Sequence, residues 1–279
     1  MQTVSDSARA ILDGYAKITL HIYIEGTPIG AGIGSATYTP SCGSGDSFSV
    51  GNACSAGFTA VVAASLPGIR GKAITVKWDV DGTEYPLLSG VVESATVAAG
   101  RTTIEAYDHM YRKGAIPLMV PEALMDTCTG ADALRELAKI MDVTIHPDTL
   151  AAAEGVTIQG GLSNLDTESS CSMAAGHLAG IMGGNAMFDR SGLFCIRGFS
   201  GVQWETQPYE GGAEAESGDY SVSGIAFQRE EPMTVTNPDG SISEEMVMVA
   251  YTAGDGSLAM DNPLADQAAA DLAFAALAG

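Results

Sequence analysis

A run of short extended segments joined by tight turns fills much of the first half of this chain, from Ser47 to Tyr111. Its pieces are FTAVVAASL, ITVKWDV, YPLLSGVVESATV and TTIEAYDHMY, and turns at Asp81-Gly82 and Ala99-Gly100 separate the last three. β-Branched and aromatic segments with such turns between them are typical of antiparallel hairpins. The alternating segment ITLHIYIEG and the extended segment IGSATYTPS precede this run. We therefore predict that residues 16–116 form the first part of a mostly antiparallel β-domain.

The pattern changes after Pro117. The segment ALMDTCTGADALRELAKIMDV places apolar residues at helical spacing behind Thr129, which is a suitable N-cap. A second helix is predicted over TESSCSMAAGHLAGIMGGNA, with Thr167 or Ser169 near its N-cap, and a hairpin over AMFDRSGLFCIRGF. VTIHPDTL and GVTIQGGLSN are predicted to be loop or short strand. Residues 117–199 are thus predicted to be an inserted α+β domain.

The two ends of the chain complete this organisation. Residues 1–15 are predicted to hold a short helix from Ser5 to Asp13. Residues 200–279 return to β-structure in DYSVSGIAFQRE and EEMVMVAYTAG, and a helix over NPLADQAAADLAFAALAG follows. No strand closes the domain after this helix, so we expect a further β-segment to be missing. The predicted class is α+β and mainly β, with a C-terminal helix.

Composition narrows the possible partners. The chain has 13 Lys and Arg against 34 Asp and Glu, a net charge of −21, which repels nucleic-acid backbones and predicts no specific DNA or RNA binding. Its five scattered cysteines, without CxxC spacing, predict reduced and mostly buried thiols made in a cytoplasm. The first 20 residues carry four charged side chains and predict no signal peptide, and no apolar run is long enough to predict a membrane-spanning segment.

The residue types that usually catalyse reactions or bind metals show no recognised spacing. Cys171 and His177 lie six residues apart on one predicted helix, which places them on different faces and argues against a thiol nucleophile with its base. The other histidines lack metal-ligand spacing and are interpreted as structural. These are His21, His109 and His146.

Two further patterns suggest binding sites only superficially. Asp79, Asp81 and Glu84 lie in one short turn, which supplies too few oxygens for calcium. The glycines of GAGIG at 30–34 do not stand between a strand and a helix, as a dinucleotide site requires. The sequence therefore predicts no catalytic residue, no cofactor-binding residue and no metal ligand.

A collinear series of segments resembles the hub proteins of phage tail tips, including the N-terminal structural region of tail-associated lysins. The series is SCGSGDSFSVG at 41–51, IRGKAITV at 69–76, YPLLSGVV at 85–92 and RTTIEAYDHM at 101–110. The region from His177 to Phe199 and the NPLA segment at 262–265 follow in the same order. One departure is His109, where a basic residue is common in that family.

The resemblance implies a split β-barrel-like tube domain with an inserted α+β domain. It also implies a non-enzymatic structural protein of the virion tail tip, without cofactor, whose homotrimeric ring closes the tail tube. Its partners would be the distal tail protein, the tape-measure protein and distal fibre or lysin domains, and it would take part in DNA ejection.

Two alternatives remain open. The first is a tail-borne cell-wall hydrolase, which would need two carboxylates, or a nucleophile and its base, to converge in a cleft. The second is a receptor-binding β-module, although aromatic residues are only 6% of the chain.

Overall fold

The computed structural model describes residues 18–40, 49–80, 82–165, 168–198, 222–237, 239 and 241–278. The chain divides into two compact units. Unit 1 contains residues 1–43, 54–115 and 187–195, and unit 2 contains residues 44–53, 116–186 and 196–279. The predicted helix over 5–13 and most of the SCGSGDSFSVG segment lie outside the described residues.

Unit 1 is built on a seven-stranded antiparallel sheet in the order β2-β1-β5-β6-β7-β4-β3. The antiparallel β-structure predicted for this region is confirmed. The strands are β1 (Ile18–Ile24), β2 (Thr27–Pro28), β3 (Ile33–Thr39), β4 (Gly57–Val62), β5 (Ala73–Val80), β6 (Thr83–Ala98) and β7 (Arg101–Asp108).

The core of unit 1 comes from one face of this sheet. Along β4, Phe58, Ala60 and Val62 are buried while Thr59 is exposed, as the two-residue period of a strand requires. The same alternation gives Ile104 and the other buried members of one continuous cluster. These members are Ile22, Ala56, Ile69, Ile74, Val76, Leu87, Leu88, Val92 and Ala106.

Two predicted strands end earlier than expected. FTAVVAASL leaves the sheet after Val62, because the Thr102 hydroxyl accepts a hydrogen bond from Leu66 N at 2.9 Å and donates one to Ala64 O at 2.7 Å. The prediction that TTIEAYDHMY is extended throughout is wrong at its end, where helix α1 (His109–Lys113) begins. Asp108 supplies the helix N-cap, so the chain turns at that residue.

Unit 2 contains four α-helices among its described residues: α2 (Gly130–Met141), α3 (Pro147–Ala153), α4 (Cys171–Ile181) and α5 (Gln267–Ala278). Thr129 caps α2 as predicted, accepting from Asp132 N at 3.1 Å. Helix α4 was also predicted, although its N-cap is Ser170. The prediction of loop or short strand for VTIHPDTL holds up to His146 and is wrong from Pro147 onward, because His146 caps α3 and Pro147 occupies its first turn.

Short strands complete unit 2. Strands β8 (Cys128–Thr129) and β9 (Thr157–Ile158) pair antiparallel. The predicted hairpin is confirmed as β10 (Gly184–Phe188) and β11 (Phe194–Gly198), and Asp189 N donates to Leu193 O across its turn. Residues 187–195 of this hairpin belong to unit 1.

A long hairpin follows at the end of the chain. Strands β12 (Gly224–Thr236) and β13 (Ile242–Gly254) pair over 13 successive positions, and β14 (Leu258–Asp261) lies parallel to the first part of β12. These three strands form a sheet of their own. None of the described helices has the length and apolarity that a bilayer crossing requires.

Candidate assembly surfaces

The two side chains considered for catalysis, Cys171 and His177, lie on one helix. Cys171 begins α4 and is fully buried, and burial raises the pKa of its thiol. His177 lies on the same helix, and burial lowers the pKa of its imidazole. Both groups are therefore held in their neutral forms, whereas a thiol nucleophile works as the thiolate. Within the described ranges, no three His, Cys, Asp or Glu side chains are grouped so as to hold a metal.

In the turn considered for calcium, the carboxylates of Asp79 and Glu84 accept hydrogen bonds from groups of the sheet. Asp79 Oδ1 accepts from Gly82 N at 2.7 Å, and Asp81 lies outside the described residues. Glu84 joins a cross-strand network in which Nδ1 of His21 lies 3.0 Å away and Lys77 Nζ lies 2.7 Å away.

The hydrogen bonds around Glu84 stabilise its ionised form. The hydroxyl of Tyr23 also donates to this carboxylate. Its hydrogen bond with His21, followed by those with Lys77 and Tyr23, lowers the pKa of Glu84 to about 2. Sequence reasoning missed this network, although β1 and β5 place His21 directly opposite Lys77.

Asp108, in the YDHM segment, is a buried structural carboxylate. It is 3% exposed and accepts hydrogen bonds from Ser55 Oγ at 2.8 Å, Ala56 N at 2.7 Å and Met110 N at 2.9 Å. Burial raises the pKa of Asp108, and the hydrogen bonds partly offset that rise. This carboxylate joins the end of β7 to the start of β4 and to α1.

His109, beside Asp108, is held neutral in unit 1. Its ring meets the Phe188 ring edge-on, with 5.5 Å between centroids, and its buried Nδ1 has no hydrogen-bond partner among the described residues. Burial, followed by the charge of Lys113, lowers the pKa of His109. Because burial disfavours the charged imidazolium, this site favours a neutral imidazole.

The outer half of the β12–β13 hairpin, residues 229–249, is here called the arm. Alternate residues of β13 share one face, so Ile242, Met246 and Met248 point the same way and are 73%, 60% and 55% exposed. Pro232 lies opposite Met246 on that face and is exposed as well. We call these four residues the methionine face.

The other face of the arm is held by a polar network near its base. Arg229 pairs with Glu231 at 2.5 Å and donates to Ala265 O at 2.7 Å, and its guanidinium lies 5.1 Å from the centre of the Tyr251 ring. The Tyr251 hydroxyl donates to Glu231 as well. Hydrogen bonds from Tyr251 and then Arg229 lower the pKa of Glu231. The arm therefore has a fixed base and an exposed apolar outer part.

Unit 1 has an apolar opening at one end of its sheet, here called the sheet-end groove. Its volume is about 320 Å³, and its apolar lining includes Ile24, Pro28, Ile29, Ala64, Leu66 and Ile69. Basic side chains stand next to this lining in the chain: Arg70 and Lys72 follow Ile69, and Arg101 precedes the Thr102 that bonds Ala64. Lys72 and Arg101 are exposed and form no ion pair within the described part of the chain.

A second apolar opening is more acidic in its surroundings. It measures about 240 Å³ and is lined by Leu20, Ala36, Tyr38, Phe58, Trp78 and Leu87. Trp78 is 42% exposed there, and the next residue is Asp79. Among the described residues that line the two openings, the phenol of Tyr38 is the only ionisable group.

No protein-family profile and no curated protein matches this sequence. Several solved structures are similar to the chain, and two of them are tail proteins. The 43 kDa tail protein of prophage MuSo2 from Shewanella oneidensis is 14% identical at a TM-score of 0.46, over 64% of this chain and 54% of its own. A tail protein from Neisseria meningitidis MC58 is 12% identical at a TM-score of 0.48, and the match covers 91% of this chain and 72% of the Neisseria protein. The chain thus spans about half the length of the Shewanella protein it matches.

Proposed function

We propose that this chain is a structural component of a phage or prophage tail tip, where a homotrimeric ring of it closes the tail tube. The observation that carries the proposal is the methionine face, which presents large apolar side chains on an arm outside any core. Exposed apolar surface of this kind marks a site of protein association. The collinear segments that resemble tail-tip hubs supply the kind of assembly.

The wall of the ring would be a curled sheet. Strands β2 and β3 stand at opposite edges of the seven-stranded sheet, yet only residues 29–32 separate them. Ile29 N donates to Ile22 O and Ala63 N donates to Gly32 O, so both edge pairings continue into this link. The core cluster also draws all its members from the strands and the connections between them. These features support a barrel-like tube domain.

The partners follow from this position. In the proposed ring the chain contacts the distal tail protein and the tape-measure protein on one side and fibre or lysin domains on the other. Part of the net charge of −21 would line the channel, where like charge keeps passing DNA from adhering during ejection. A trimer structure with a neutral or basic lumen would overturn this charge argument.

The ring itself is tested by light scattering of the purified chain, alone and with a distal tail protein from the same phage or prophage. We expect a trimer in at least one condition, and no trimer in either condition would count against the proposal. Immunogold labelling of intact tails gives an independent result. Label at the tail tip is expected, and label along the shaft or on the capsid would contradict a tip position.

A further inference from the structure

We propose that the arm of one copy of this chain seats its methionine face in the sheet-end groove of the next copy. The inference rests on the proposed ring and names the two surfaces that form it. A contact between two different surfaces is heterologous, and such contacts generate closed rings when the rotation between copies closes.

The arm cannot pair favourably with a second arm, because its charge is one-sided. Residues 229–249 contain a single basic residue, Arg229, against five acidic ones. The acidic residues are Glu230, Glu231, Asp239, Glu244 and Glu245. Glu230 lies directly opposite Met248, and Glu244 lies between Ile242 and Met246 on their face. A matching surface must therefore be apolar and rimmed by basic side chains.

The sheet-end groove meets this requirement. Four basic residues stand at its end of the sheet, namely Arg70, Lys72, Arg101 and Arg112, against two acidic residues, Glu25 and Glu93. This local excess of positive charge occurs in a chain whose net charge is −21. Glu93 is already paired with Arg70 and Arg112, which leaves Lys72 and Arg101 as the cations available to an incoming carboxylate.

The second opening fits the arm less well. Asp79 follows Trp78 in the chain, and Lys77, which precedes Trp78, is already paired with Glu84. The segment 199–221 is no better as a cover for the methionine face, since it carries five acidic residues and no basic one. Methionine side chains suit the sheet-end groove because their flexible thioethers fill irregular apolar spaces.

The contact is tested by placing a photo-crosslinking residue at position 248 in the full-length chain. Copies labelled with ¹⁵N are mixed with unlabelled copies, with and without the distal tail protein, so that mass spectrometry separates crosslinks between copies from crosslinks within one. We expect crosslinks between copies at residues 24–31 and 64–72.

Charge reversal tests the recognition. The double variant Lys72→Glu, Arg101→Glu is expected to reduce the yield of that crosslink at least tenfold. The double variant Glu230→Lys, Glu244→Lys is expected to reduce it by the same factor. The two pairs combined in one chain are expected to restore it. The matched control is Lys139→Glu with Arg197→Glu, which makes the same change in net charge at exposed sites elsewhere and is expected to leave the yield unchanged.

The outcomes separate this contact from the ring itself. Trimers that crosslink elsewhere, including to the distal tail protein, overturn the arm-to-groove contact and leave the proposed ring standing. Crosslinks confined to one copy, for example to residues 1–17, overturn the contact too. Absence of any trimer refutes the ring and the contact together.

Discussion

Removing the Asp108 carboxylate is expected to destabilise unit 1 by about 3 kcal/mol in the free energy of unfolding. The side chain is 3% exposed and accepts hydrogen bonds from three donors on two segments, so no solvent is available to replace it. In Asp108→Ala, the Met110 N–H loses its helix cap, which costs roughly 0.5–2 kcal/mol. The Ala56 N–H is left buried without an acceptor, which costs roughly 1–3 kcal/mol more.

Two effects reduce this sum. The Ser55 hydroxyl rotates to another acceptor at little cost, and the variant no longer pays for burying an ionised carboxylate, the effect that raises the pKa of Asp108. Asp108→Asn retains one oxygen for Ser55 and Met110 but turns an amide N–H₂ toward the Ala56 N–H. We expect it to cost about half as much as the alanine variant.

The dependence on pH has a definite sign. Because the folded-state pKa of Asp108 is raised above the usual 3.8, the folded state binds its proton more tightly than the unfolded state. The wild type therefore gains stability from this group as pH falls through the folded pKa toward the unfolded value. Asn does not titrate, so the penalty of Asp108→Asn is expected to grow on acidification through that window.

Trp78 lies in unit 1 and provides the assay. Urea unfolding is followed by its fluorescence in a Trp204→Phe background, with the exposed Thr103→Ala on β7 as the matched control. The control is expected to stay within about 0.5 kcal/mol of the wild type. An Asp108→Ala transition within that same margin would refute the structural role assigned to this carboxylate.

Three further outcomes are expected. A Cβ on Gly90 would lie 2.0 Å from a backbone oxygen of β7, so Gly90→Ala is expected to prevent or severely weaken folding of unit 1. Gly32 has open space around it, so Gly32→Ala is expected to leave the free energy of unfolding nearly unchanged in the same urea assay. Because the pKa of His109 is lowered, the unfolded state takes up a proton first, and stability falls as pH drops below about 6.5. His109→Gln is expected to flatten that fall, and an unchanged pH profile by differential scanning fluorimetry would contradict it. Arg229→Lys keeps the positive charge beside Glu231 but loses the planar guanidinium group, so it is expected to lower the stability of unit 2 by about 1.5 kcal/mol. An unchanged melting temperature would show that the guanidinium is dispensable.

Local patterns were sufficient where a segment's neighbours in sequence are also its neighbours in space. Strands β5, β6 and β7 are consecutive hairpins, and alternation with turns at 81–82 and 99–100 predicted them. Thr129 likewise signals the start of α2 because a cap and its helix are adjacent. Helix α3 was missed because its evidence is a His N-cap before Pro147 in a short segment with no apolar periodicity.

The candidate surfaces were harder to predict. The predicted strands DYSVSGIAFQRE and EEMVMVAYTAG stop at residue 230 and begin at residue 244, so they leave out the outer part of the arm, where Pro232 interrupts the strand pattern. Pro232 is tolerated there because β14 pairs only with residues 225–228, and no other described strand pairs with that edge of β12 further out. The sheet-end groove joins residues 24–31 to residues 64–69, and strand order rather than any local pattern brings these segments together.

The uninterrupted pairing of β12 with β13 restricts how the arm can change length. Thirteen successive pairs run without a bulge, so each residue keeps a fixed side of the ribbon. Inserting or deleting one residue pair between the base and Met248 would turn the methionines to the opposite side, toward the side that carries Arg229 and Tyr251 at the base. Length variants that keep the methionine face in place must therefore differ by multiples of two residue pairs. Two pairs lengthen or shorten the ribbon by about 6.8 Å.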